Sequence, residues 1–154
     1  MVDLLCRDLA NEYAHWHFYM EAATAVRGLH RQELSEFFRE QAEGEMKHVE
    51  EFRRLIQGLV TRWSLDKSIP NAPAPWKSGI SDPSEILAAA LDMEDEVVKN
   101  YVLRHEQAES LQCGHDSDRA KVDGTYIALF LEDQILDSRG DADNILEMLK
   151  GEQH

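Results

Sequence analysis

Cysteine is nearly absent from this chain: Cys6 and Cys113 are the two instances in 154 residues, and they form no CxxC or other metal-ligand spacing. That argues against a disulfide-stapled scaffold and a thiolate metal site, and predicts a reduced, cytoplasmic setting. Proline is scarce too, with Pro70, Pro73 and Pro75 in one stretch and Pro83 shortly after. Elsewhere the chain is therefore free to form long unbroken helices. Basic residues are few, 16 against 30 acidic ones, giving a formal charge of −14. Such a field repels nucleic acid and anionic membranes and attracts cations, so no nucleic-acid or membrane partner is expected. No window approaches the ~20 apolar residues of a membrane span. Asp3 and Asp8 interrupt the N-terminal segment, which does not read as a secretory signal. No internal repeat, glycine-rich phosphate loop or strand-rich region is present.

What remains is helical periodicity. Leu5, Leu9, Trp16, Tyr19, Met20 and Ala23 predict one face of a helix from about Asp3 to Arg27, with Gly28 as its stop. Phe38, Gln41, Phe52, Leu55, Ile56 and Leu59 mark a second, from about Glu33 to Leu59. A third starts at Pro83 with Asp82 as N-cap and runs to about Ser110, with Leu87, Leu91, Val98, Tyr101 and Val102 facing in. A Cys113-Gly114-His115-Asp116 turn leads to a fourth, from about Ser117 to Ser138, with Ile127, Phe130, Leu131 and Ile135 as its stripe. The segment from Asp143 to Lys150 is helical again, and Gly140 permits either a bend or continuation. Short turns join the first pair and the second pair, whereas residues 61–81 carry three prolines and no helical period. A connection of that length runs along a bundle and returns the chain to its starting end. An all-α four-helix bundle with a long crossover between helices two and three is the expected fold.

Polar residues interrupt the apolar stripes at mid-helix. Glu45-Met46-Lys47-His48 places a carboxylate and an imidazole on the inward side of helix two. Burying an unpaired charge there costs several kcal/mol, so a partner is required. Glu12 falls between Leu9 and Trp16, Glu94 between Leu91 and Val98, and Gln134 on the Leu131 face with Asp137 three residues on. One inward carboxylate is unremarkable, but the same feature on four helices predicts a metal site. Oxygen-rich ligation with an imidazole suits iron or manganese, and this many carboxylates suits two ions.

These residues resemble a known family. Asn11-Glu12 followed by Tyr19, Glu45-Met46-Lys47-His48, Leu91-Asp92-Met93-Glu94, Leu131-Glu132-Asp133-Gln134 and the proline-rich crossover look like a bacterial non-haem ferritin or bacterioferritin. The resemblance extends over nearly the whole chain and implies one ferritin-like di-iron domain over residues 1–154. It implies that Glu12, Glu45 and His48 ligate one iron, with Glu45 bridging, and that Glu94 and the helix-four residue serve the second. It gives Tyr19 the place of the tyrosine beside the di-iron centre, as hydrogen-bond donor or electron source. Ferrous iron with dioxygen or peroxide would be the reactants, and a homo-oligomer the assembly.

The chain also departs from the pattern. Bacterioferritins repeat Glu-x-x-His on helix four, where Gln134 and Asp137 stand here; Gln134 is what non-haem ferritins usually carry. The second iron should accordingly be held more weakly. Gly44 and Leu136 replace acidic residues of a third iron site. Met46 stands where bacterioferritins supply a haem ligand, but non-haem ferritins often have methionine there, and no haem is expected. His15 makes a second Glu-x-x-His with Glu12, which the family does not usually have; a core histidine is its simpler reading. With the segment from Asp143 finishing helix four, no residues are left for a fifth helix. The expected function is a ferroxidase, storing iron if it forms a shell. The alternatives are a non-storing di-iron oxidase or peroxidase of the rubrerythrin-like kind, and a catalytically silent helical interaction module.

Overall fold

A computed structural model describes residues 1–114 and 117–152. It contains four helices, α1 (Val2–Ala25), α2 (Arg31–Arg62), α3 (Pro83–Gly114) and α4 (Asp118–Glu152), and no strand among the described residues. Two compact units are distinguished, one of Val2–Ala89 with residues 148–152, the other of Ala90–Glu147 with Met1.

In the first unit α1 and α2 form an antiparallel hairpin. Its core is Leu5, Leu9, Phe18, Tyr19, Phe38, Phe52, Leu55 and Ile56, all at most 4% exposed. Each such side chain contributes roughly 1.5–3 kcal/mol of transfer free energy. Met20, expected on the inward face, is exposed. α1 ends before the tight turn at Gly28, whose φ of +103° is a conformation that L side chains rarely adopt.

The crossover lies along α1 from its first turn to its last. Lys67 pairs with Asp3, the Ala74 N–H donates to the Ala10 carbonyl at 2.9 Å, and the Arg27 N–H donates to the Ser81 carbonyl at 3.0 Å. Covering that span with so few residues demands a nearly extended chain, since a helix rises about 1.5 Å per residue and an extended strand at most ~3.6 Å. Pro70, Pro73 and Pro75 favour that extension. Glu21 clamps the far half: it accepts from Trp76 Nε1 at 3.2 Å and from the Gly79 N–H at 2.7 Å. Trp76 also stacks on His17, at 4.9 Å between ring centroids. On the near half, Arg53 Nη1 of α2 donates to the Pro70 carbonyl at 3.0 Å. The crossover thus delivers α3 to the end of the hairpin where α1 stops. There Asp82 caps α3, its Oδ2 accepting from the Glu85 N–H at 3.1 Å.

The second unit is also an antiparallel hairpin, in which His105 Nε2 of α3 lies 3.0 Å from Glu132 Oε1 of α4. Its buried residues include Ala90, Val97, Tyr101, Ile127, Leu131 and Ile145. Leu87 and Tyr101 face in as expected, but the inward face of α3 is turned towards the preceding positions: Ala90 and Val97 are buried, Leu91 and Val98 half-buried and Val102 exposed. Ser117 caps α4, accepting from the Ala120 N–H at 3.2 Å. α4 continues straight through Gly140, and Cys113 and Gly114 belong to α3 rather than to a turn. The remainder of that expected turn, residues 115 and 116, lies outside the described residues. Among the described residues, no helix is long and apolar enough to cross a membrane.

Candidate metal centre

Four side chains able to ligate a metal converge inside the first hairpin. Glu12 and His15 come from α1, Glu45 and His48 from α2, each pair three residues apart and so on one face of its helix. All four are buried, with exposures of 0, 8, 3 and 5%. One ligand atom from each of Glu12, His15 and Glu45 lies within 4.8 Å of the other two. His48 Nδ1 is 3.1 Å from Glu45 Oε2 and 3.4 Å from Glu12 Oε2.

Such crowding perturbs the protonation of Glu45, His48 and His15. Burial and the neighbouring Glu12 charge push Glu45 up to about 7, against the opposing pull of its hydrogen bond to His48. Burial alone would drag His48 down, but the Glu12 and Glu45 carboxylates outweigh it and push the imidazole up to about 12. Burial lowers His15, which Glu45 partly offsets and the His48 charge reinforces. Without metal, the His48 proton therefore supplies the positive charge that lets two carboxylates share a dry site. A divalent cation would supply more charge and would also engage His15, whose Nδ1 is buried with no hydrogen-bond partner. The chemistry of this donor set, carboxylate and imidazole with no thiolate, fits iron.

In the second hairpin the buried side chains expected as ligands offer oxygen. Glu94 and Gln134 are each 1% exposed. Glu94 and Asp141 bring carboxylate oxygens within 4.8 Å of each other. Asp137 is exposed. The reason is angular: at about 100° per residue, Asp137 lies about 60° round α4 from Gln134, on the side away from Leu131, Ser138 and Ala142. Asp141 lies only about 20° from Gln134 and is half-buried. Asp141 carried a signal that was available, a seven-residue spacing from Gln134, but one that requires α4 to run on past Gly140. Tyr19 is fully buried in the first hairpin and stacks on Phe38 at 6.3 Å.

The sequence matches the ferritin-like domain family over residues 2–113. That span is most of the chain, and the protein belongs to this family. Among solved structures it is similar to ferritin-like di-iron-carboxylate proteins from Bacillus anthracis. The identity is 26% and the TM-score 0.75, over 96% of this chain and 94% of that one. It also shares its fold with a dodecameric thioferritin, the bacterioferritin-related protein of Bacteroides fragilis. There the identity is 18% and the TM-score 0.53, over 97% and 88% of the two chains. No curated protein matches the sequence. The fold is the ferritin-like one, with four long helices and the long connection between the second and third.

Proposed function

We propose that this protein is a ferroxidase that binds two ferrous ions per chain and oxidises them with dioxygen or peroxide. Glu12, Glu45 and His48 supply the ligands of one ion, Glu94 and Gln134 those of the other. Each ferrous ion gives up one electron; dioxygen takes both with two protons and leaves as hydrogen peroxide, or peroxide takes them with two protons and leaves as two waters. Carboxylates favour the ferric product by charge, and the neutral amide of Gln134 binds it weakly enough for it to leave. Tyr19 is the proposed electron source or hydrogen-bond donor. The observation that carries this reading is the buried Glu-x-x-His of α2 meeting Glu12 of α1 in a ferritin-like chain.

The chain is proposed to act as a cytoplasmic homo-oligomer. Val122, Tyr126, Leu129 and Leu136 recur at helical spacing on α4 and are 57–71% exposed, an apolar stripe that self-association would cover. Storage of the ferric product requires a closed shell. Gly44 and Leu136, standing in for acidic third-site residues, favour a second reading: a non-storing di-iron oxidase or peroxidase with the same centre.

An aerobic ferrous titration followed by size exclusion tests both. The ferroxidase reading predicts oxidation well above that of a Glu45→Ala, His48→Ala variant; equal rates would sink it. Iron eluting with a shell of hundreds of kDa supports storage, and turnover without retained iron supports the second reading.

A further inference from the structure

We propose that His15 is a metal ligand, so that the first hairpin alone carries a complete two-carboxylate, two-imidazole site for one divalent transition ion. The two Glu-x-x-His motifs lie on antiparallel helices and therefore meet head to tail. Glu12 faces His48, at 3.4 Å between Oε2 and Nδ1, and His15 faces Glu45, their ligand atoms within 4.8 Å. The result is a quartet with approximate two-fold symmetry, built from α1 and α2.

His15 has the marks of a ligand rather than of packing. It is 92% buried by its 8% exposure, and its Nδ1 has no hydrogen-bond partner. Buried histidines that serve only the core satisfy their ring nitrogens from the protein. Here the nearby groups are a carboxylate pair and a second imidazole. A cation among them uses a nitrogen lone pair that the protein leaves unused. The second imidazole also changes which ion is preferred. Two nitrogens and two carboxylates suit ferrous, cobaltous or zinc ions, whereas magnesium and manganous ions favour all-oxygen sites.

The inference shares Glu12, Glu45 and His48 with the ferroxidase reading but requires no oxidation, so it is tested with Co2+ alone. One equivalent of Co2+ on the native protein should show two imidazoles by X-ray absorption. A His15→Gln variant should show one, with a dissociation constant weakened at least about tenfold, in the range seen when supporting groups of metal sites are lost. The Glu94→Ala, Gln134→Ala variant should keep the first equivalent and both imidazoles. One imidazole in the native protein would overturn the proposal and leave the ferroxidase reading standing. A His15→Gln protein with unchanged affinity would overturn it equally. Failure of Co2+ and Fe2+ to bind the native chain at all would remove both. The native-protein count of imidazoles remains decisive even where the variant does not fold.

Discussion

The two helical hairpins bury polar groups of different kinds. α1 and α2 contribute two carboxylates and two imidazoles, crowded enough to push Glu45 up to about 7 and His48 up to about 12. α3 and α4 contribute Glu94, Gln134 and the half-buried Asp141, with oxygen as the donor throughout. Imidazole nitrogen binds late first-row divalent ions more tightly than carboxylate or amide oxygen does. On the proposed reading the first hairpin would be the anchor that retains an ion, and the second would be the place an ion passes through. An enzyme that must release its oxidised product needs that inequality.

Removing both α2 ligands, Glu45→Ala with His48→Ala, should weaken the first ferrous equivalent at least ~100-fold, since loss of merely supporting residues already costs 10–100-fold. Anaerobic ferrous titration measures this, and an intact first equivalent would mean that the anchor lies elsewhere. Glu94→Ala with Gln134→Ala should reduce the stoichiometry from two ions to one while the first affinity holds.

A smaller effect is linkage to folding. At a ferrous concentration about 100 times the dissociation constant, binding should stabilise the fold by roughly 2.7 kcal/mol, visible as a raised melting temperature. Identical melting curves for metal-free and loaded protein would contradict binding to the native state. The same groups set a pH dependence. His48 is raised in the fold, so its contribution to metal-free stability is complete below pH 6.5 and is lost as pH climbs towards 12. Glu45 is also raised, so a penalty for its charge is absent below pH 4.5 and grows as pH rises through 7. Both signs agree: the metal-free protein should melt progressively lower from pH 5 to 9. Ferrous affinity should move the other way, about tenfold per pH unit above 7 for the single His48 proton released. A flat profile would mean that His48 is neutral before metal arrives. The smallest difference separates two neighbours on α4. Asp141→Ala should weaken the second equivalent a few-fold, and Asp137→Ala should leave it unchanged.

Much of this was readable in the sequence, for identifiable reasons. The helices follow from strong periodicity and from caps at Asp82 and Gly28, and the inward Glu12, Glu45, His48, Glu94 and Gln134 follow from their place on apolar stripes. Three things were not readable. The phase of α3 was set by the small Ala90, whose burial periodicity ranks below that of the larger Leu91 beside it. The end of α4 was obscured by Gly140, where a helix penalty of ~1 kcal/mol is outweighed by burying Ala142 and Ile145 beyond it. Asp137 follows from the three-residue spacing of the family motif, whereas Asp141 needs an α4 that runs on past Gly140. The path of the crossover depends on Glu21 and Trp76 meeting across 55 positions of sequence, a contact that no local pattern encodes.

The proposed function requires that two ferrous ions be oxidised per chain at a centre anchored on Glu45 and His48. Rapid mixing of the native protein with increasing ferrous iron in air tests it most directly. A fast oxidation phase should saturate at two ions per chain and vanish in the Glu45→Ala, His48→Ala protein. A phase of the same rate and amplitude in that variant would contradict it.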